Sequence, residues 1–160
     1  MSSPAGGPET QGTGEEAAVS ALYYSLLGAW NARDAGAYAA HFDTEAAVIG
    51  FDGSQMNGRA EIASVVGQIF ADHVTATYVG KIRGARLLGP DVAVLRAVVG
   101  MVPPGQTDLN PAVNAVQTLV AARQGGDGAW RIAVFQNTPA QFHGRPELAA
   151  ALTEELRQLL

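Results

Sequence analysis

Near Asp72 the sequence changes its period, and that change restricts the available folds more than any other feature of the chain. Before it, apolar residues recur at three- and four-residue spacing. After it, long β-branched stretches alternate between turn signals. Val19, Leu22, Tyr23, Leu26, Leu27 and Trp30 form the stripe of a first helix that begins near Glu15. Asp34 can cap a short second helix through Phe42, and a third, from Gly58, presents Ile62, Val65, Val66, Ile69 and Phe70. Residues 46–51 read as a short strand, with an Asp52-Gly53 turn leading into residues 55–57. Strands are expected over 73–88, 92–102, 112–123 and 130–138, and a closing helix over 147–160 with Leu148, Leu152, Leu156 and Leu159 or Leu160 on one stripe.

Helices first and a meander afterwards indicate an α+β fold rather than alternating α/β units. A strand of ten residues is about 33 Å long. Strands that long twist strongly and wrap around a helix layer, leaving a cone whose open end suits an apolar pocket. The expected architecture is three N-terminal helices packed on a strongly curved mixed or antiparallel sheet, with a C-terminal helix. Residues 1–14 read as a flexible tail from their Gly, Pro, Ser and Thr content, 15–138 as the domain, and 139–160 as an extension. Neither an internal repeat nor a second core is visible.

Composition removes several function classes. There is no cysteine, which excludes disulfides, thiolate nucleophiles and iron–sulfur ligation and fits the cytoplasm. The net charge is −5 with no basic cluster, so neither nucleic acid nor an anionic membrane surface is an expected partner. No apolar run approaches the roughly 20 residues that span a bilayer, and the N-terminus lacks a basic, then apolar, signal pattern. The three histidines, His41, His73 and His143, are dispersed, so no metal site is expected. The glycine-rich stretch 125–128 has no helix after it and reads as a hairpin turn rather than a phosphate loop. With no dinucleotide fingerprint, no cofactor is expected.

Trp30-Asn-Ala-Arg-Asp34 at the end of the first helix, Gly58-Arg-Ala-Glu-Ile62 opening the third, and Trp130 to Ile132 with Phe135 to Thr138 in the last strand carry a resemblance. In this order they resemble the SnoaL-like branch of the NTF2-like superfamily, of the SgcJ/EcaC type. The stretch from Asn137 to Pro146 resembles the SgcJ proteins of enediyne antibiotic gene clusters. The resemblance implies a cone-shaped NTF2-like barrel, a homodimer through the sheet, and a pocket whose occupant varies between members. It also implies a role in enediyne or polyketide biosynthesis, on a hydrophobic polyene or aromatic intermediate, with a polyketide synthase as a candidate contact. That role is either a cofactor-independent, cyclase-like one or non-catalytic binding. Ketosteroid isomerase relatives use an Asp base and a Tyr–Asp oxyanion pair. At those positions this chain carries Gly50, Leu26 and Gln117.

Within such a cone, His41 is the catalytic candidate, since an imidazole is suited to general acid–base work; the alternative is a polar packing residue. Arg96 interrupts the face formed by Val92, Val94 and Val98. The family register turns it toward the cavity as an anion anchor, the alternative being a snorkelling position at a sheet edge or dimer rim. Gln117 and Asn137 are amides in apolar strands that can offer a donor and an acceptor each, or satisfy backbone. Tyr23, Trp30, Tyr38 and Phe51 would form an aromatic wall for a flat ligand, or simply core. Residues 112–122 are apolar on both faces, which predicts that the outer face is covered by a second copy.

Overall fold

The computed structural model describes residues 3–124 and 128–160. Its elements run α1 (Ser3–Asn31), α2 (Ala35–Ala40), β1 (Phe42–Ile49), β2 (Gln55–Asn57), α3 (Arg59–Asp72), β3 (Thr77–Gly89), β4 (Val92–Val102), β5 (Ala115–Arg123), β6 (Trp130–Pro139) and α4 (Pro146–Arg157). The strands make one six-stranded sheet in the order β2-β1-β6-β5-β4-β3. The β1–β6 pair is parallel and the other pairs are antiparallel. This is the expected α+β architecture with a mixed sheet. Register shifts at Ile82/Gly84, Leu87/Gly89 and Val120/Ala121 interrupt its long strands, and bulges of that kind add bend and twist.

The helical stripe of α1 lies on the inner sheet face. Val19, Tyr23 and Leu26 are fully buried, with Ile62 and Val66 of α3 and Leu95, Leu119 and Ile132 of the sheet. Gly80 permits the close approach of α1 to β3. A Cβ there would stand 2.4 Å from the Tyr23 hydroxyl and 2.7 Å from Leu27 Cδ1.

Several boundaries differ from the sequence reading. Helix α1 begins at Ser3, within the stretch 1–14 read as a flexible tail. Extending a helix that is already nucleated costs far less than starting one. Strand β1 begins at Phe42 rather than Ala46, because its first residues pair with β6 across a register irregularity that polar Asp43-Thr-Glu45 conceals. Residues 73–76 precede β3 instead of opening it, and a 3-10 turn at Pro111–Val113 occupies the expected start of β5. The hairpin turn expected at 125–128 lies outside the described residues except for Gly128, whose φ is 69°.

A second apolar cluster does exist, on the outer sheet face. Leu152 and Leu156 of α4 pack with Val98 and Leu109, while Leu148, Leu159 and Leu160 of the expected stripe stay exposed. Gly100 leaves room for it, since a Cβ there would meet Leu109 Cδ2 at 2.9 Å and Leu156 Cδ1 at 3.2 Å. Polar contacts fix the helix over this cluster. Asn114 Nδ2 donates to Thr153 Oγ1 at 3.0 Å, and Arg157 pairs with Asp108 at 3.0 Å. Lys81 and Arg83 both pair with Glu155, which holds that carboxyl at about 2, well below its usual range.

Deleting residues 147–160 exposes this cluster and should lower the melting temperature clearly. Leu156→Ala alone should cost about 2–5 kcal/mol, as for other buried leucine truncations, measured by urea unfolding. An unchanged melting temperature after deletion would show that α4 contributes nothing to the fold.

Candidate functional site

The end of α1 builds the site by gripping the segment before β3. Arg33 adopts a left-handed conformation (φ 57°), and Asp34 N–H returns to Ala29 O at 3.0 Å, which closes the helix. From this turn Trp30 Nε1 donates to Ala76 O at 3.3 Å, and Arg33 donates to Thr75 Oγ1 and His73 O at 2.9 Å each. Asn31 acts like a strand residue toward Tyr78: its Oδ1 accepts from Tyr78 N–H at 2.8 Å and its Nδ2 donates to Tyr78 O at 3.0 Å. Asp34 then caps α2 by accepting from Ala37 N–H at 2.9 Å. Trp30, Tyr38 and Tyr78 are thereby fixed relative to one another. The indole lies stacked on Tyr78 (centroids 5.2 Å, 28°) and edge-on to Tyr38 (5.7 Å, 62°).

These three rings line one end of a cavity of about 330 Å³ between the helices and the inner sheet face. Val65, Val66 and Ile69 of α3 form its roof, and Val48, Phe135 and Met101 line it from the sheet. Gly50, Phe51, Ser54 and Met56, around the β1–β2 turn, complete the rim. Asp52 stabilises that turn by accepting from both Ser54 N–H (2.9 Å) and Ser54 Oγ (2.6 Å).

The polar side of the cavity is Asn137, backed by a buried relay. The Tyr23 hydroxyl donates to Gln117 Oε1 at 2.6 Å, Gln117 Nε2 donates to Asn137 Oδ1 at 2.8 Å, and Asn137 Nδ2 donates to Ile49 O at 3.2 Å. Gln117 is 1% exposed and Tyr23 is fully buried, and burial pushes the Tyr23 phenol above its ordinary pKa. The relay orients Asn137 and leaves it one Nδ2 hydrogen and one Oδ1 lone pair for another partner.

Of the residues singled out from sequence, Trp30, Tyr38, Phe51 and Asn137 meet at this cavity. Tyr23 and Gln117 stand behind Asn137 rather than in the lining. His41 is absent from the lining; it ends α2, with Nδ1 2.7 Å from Ala37 O and 3.3 Å from Tyr38 O. Its ring caps the helix that carries Tyr38, and the nitrogen facing those carbonyls is a donor. Arg96 is exposed on the outer sheet face beside α4, so it anchors nothing in this cavity. The inner face of β4 is instead Ala93, Leu95, Ala97 and Val99. Sequence reasoning missed Tyr78 and Met101. Alternation from Gly80 and Ile82 puts Tyr78 on the inner face and so carries the signal for it.

Among the described lining residues there is no carboxylate and no imidazole; the ionisable groups are the phenols of Tyr38 and Tyr78. Burial raises both, Tyr78 to about 12. The cavity is therefore an uncharged site over the physiological pH range. Of the three positions that the sequence resemblance sets against the isomerase base and oxyanion pair, Gly50 lines the cavity, Leu26 is fully buried, and Gln117 is occupied by the relay. The histidines and carboxylates of the described residues form no group of three or more able to hold a metal. No described helix is long and apolar enough to cross a membrane.

No protein-family model matches the chain, and no curated protein does. Solved structures do. A domain of unknown function with a cystatin-like fold from Nostoc punctiforme is 27% identical, with a TM-score of 0.75 over 91% of this chain and 92% of that one. A ketosteroid isomerase-like protein from Erwinia carotovora is 18% identical, with a TM-score of 0.63 over 79% and 97%. An NTF-2 like protein of unknown function from Shewanella oneidensis is 19% identical, with a TM-score of 0.62 over 75% and 95%. The chain thus shares the fold of NTF2-like and cystatin-like proteins, a fold that hosts unrelated functions.

The relay makes a stability prediction. Gln117→Leu keeps the volume but strips the Tyr23 hydroxyl and Asn137 Oδ1 of their partners, which should cost about 2–5 kcal/mol. Adding Tyr23→Phe to that variant should recover part of the loss. Urea unfolding of the single and double variants measures both effects, and a neutral Gln117→Leu would show that the relay carries no stability.

Proposed function

We propose that the chain is a small-molecule binding protein that holds a flat, apolar polyene or aromatic intermediate in the cavity walled by Trp30, Tyr38, Tyr78 and Phe51. The observation that carries this reading is the uncharged aromatic lining with a single oriented amide, the usual composition of a ligand site. Holding and shaping the ligand is favoured over proton abstraction, because the described lining residues include no carboxylate or imidazole to act as a base. The sequence resemblance to the SgcJ/EcaC type makes enediyne or polyketide assembly in the cytoplasm the setting, with an intermediate passed from a polyketide synthase as the occupant. The ketosteroid isomerase-like neighbour, 18% identical, supports the fold alone. It does not carry over a mechanism.

Diphenylhexatriene, a flat conjugated hydrocarbon whose fluorescence rises in apolar surroundings, tests the reading directly. It should bind saturably at one site per chain. Val65→Trp, at a partly exposed lining position, should weaken binding tenfold or more with the fold retained by circular dichroism. No saturable binding to the unaltered protein would overturn the proposal.

We also propose that the protein works as a homodimer through the outer sheet face. Val92 and Val116 are each 37% exposed there, and Val94, Val120 and Val134 are half-buried on the same side, away from the core. An apolar face this extended ordinarily meets another surface. Light scattering at micromolar concentration should give twice the chain mass, and Val120→Lys should return it to the monomer. A monomeric unaltered protein would refute the dimer.

A further inference from the structure

Two residues of the cavity carry hydroxyls without a hydrogen-bond partner among the described residues. Tyr38 is 6% exposed, and among the described residues its hydroxyl makes no hydrogen bond; the same holds for the half-buried Tyr78. Both residues line the cavity, and both flank the Trp30 indole. Neither hydroxyl is sealed from the cavity that its residue lines, so the pair is open to a ligand atom. The two groups also feel each other: after burial itself, the neighbouring Tyr78 is what raises the Tyr38 phenol. Neither is free to wander. Asn31 grips Tyr78 by both backbone groups, and Tyr38 sits in a helix capped by Asp34 at one end and His41 at the other.

We propose that Tyr38 and Tyr78 donate two hydrogen bonds to one oxygen of the ligand, so the occupant is a neutral conjugated ketone or quinone rather than a plain hydrocarbon. This rests on the reading of the cavity as a small-molecule site and names the chemistry of its occupant. A carbonyl oxygen has two lone pairs and matches two donors. Because both phenols titrate above their ordinary range, they remain protonated donors at every physiological pH. A carboxylate would be a poor occupant, since no described lining residue is cationic and an unpaired buried charge is costly. Asn137, with its free Nδ2 hydrogen, lies in the same lining and can meet a second polar atom of the ligand.

The test compares 2-acetylnaphthalene with 2-ethylnaphthalene, two probes of nearly equal shape that differ in the carbonyl. Binding of each is followed by calorimetry, and the ketone's C=O stretch by infrared difference spectroscopy. The unaltered protein should prefer the ketone by about tenfold or more and shift its stretch to lower frequency. Tyr38→Phe and Tyr78→Phe should each remove about three- to tenfold of that preference, the range expected for one neutral hydrogen bond, and reverse part of the shift. Affinity for 2-ethylnaphthalene should not fall in either variant, which also shows that the cavity is intact. Equal affinity for the two probes, or a preference that survives both substitutions, would overturn the phenol pair while leaving the cavity a binding site. Failure of both probes to bind the unaltered protein would overturn the pair and the underlying reading together.

Discussion

The grip that the end of α1 takes on residues 70–78 is the contact on which the rest of the site depends. It concentrates several constraints in five residues. Arg33 holds a left-handed backbone, worth about 1–2 kcal/mol of local strain for a residue with a Cβ, and recovers it by donating to Phe70 O, His73 O and Thr75 Oγ1. Its guanidinium also lies 5.3 Å from the centre of the Phe70 ring. With α3 and the start of β3 held to the same turn, Trp30 has no choice of position. The indole then fixes the separation of Tyr38 from Tyr78 and decides that space remains beyond them.

Why that space is not filled follows from the sheet. On the inner face of β4 the side chains are Ala93, Leu95, Ala97 and Val99, and close packing of α1 is possible only because Gly80 has no side chain. The helix layer therefore closes on β3 at Gly80, and a gap remains beside the β1–β2 turn and the end of β6. Phe135 and Asn137, two residues apart on β6, face this gap, and the amide is there because its relay partners are already buried. Fold and site are thus one packing solution rather than a scaffold with a pocket added.

Much of this was legible in the sequence. The stripe Val19–Trp30 and the α3 residues Ile62, Val66 and Phe70 gave the helices their burial, and Asp34 gave α2 its start. Strand alternation puts Asn137 on the same face as Phe135, and both residues line the cavity. Arg96 failed for a definable reason. Both faces of β4 are apolar, so alternation could separate Arg96 from Leu95 but could not say which face met the helices. His41 failed because a ring folding back onto a carbonyl four residues earlier leaves no trace in residue type. The outer cluster under α4 escaped because Leu152 and Leu156 lie far along the chain from Val98 and Leu109, and nothing in residue type pairs them. Tyr78 escaped because its importance lies in which rings it meets, and strand alternation alone does not supply that.

The neutrality of the cavity is itself a selection on what enters. A carboxylate at the Gln117 position would sit fully buried beside the uncharged Tyr23 and Asn137, and its desolvation would favour the protonated form. The amide avoids that cost, accepting at one end and donating at the other without ionising. The same reasoning applies to the phenols, which burial keeps protonated. A cavity whose polar groups are amides and phenols presents nearly the same hydrogen-bonding pattern from mild acid to mild alkali. It discriminates by shape and by the placement of a neutral oxygen. A charged molecule must surrender its hydration there and finds no counter-charge among the described lining residues, a loss of several kcal/mol that stacking on aromatic rings does not offset.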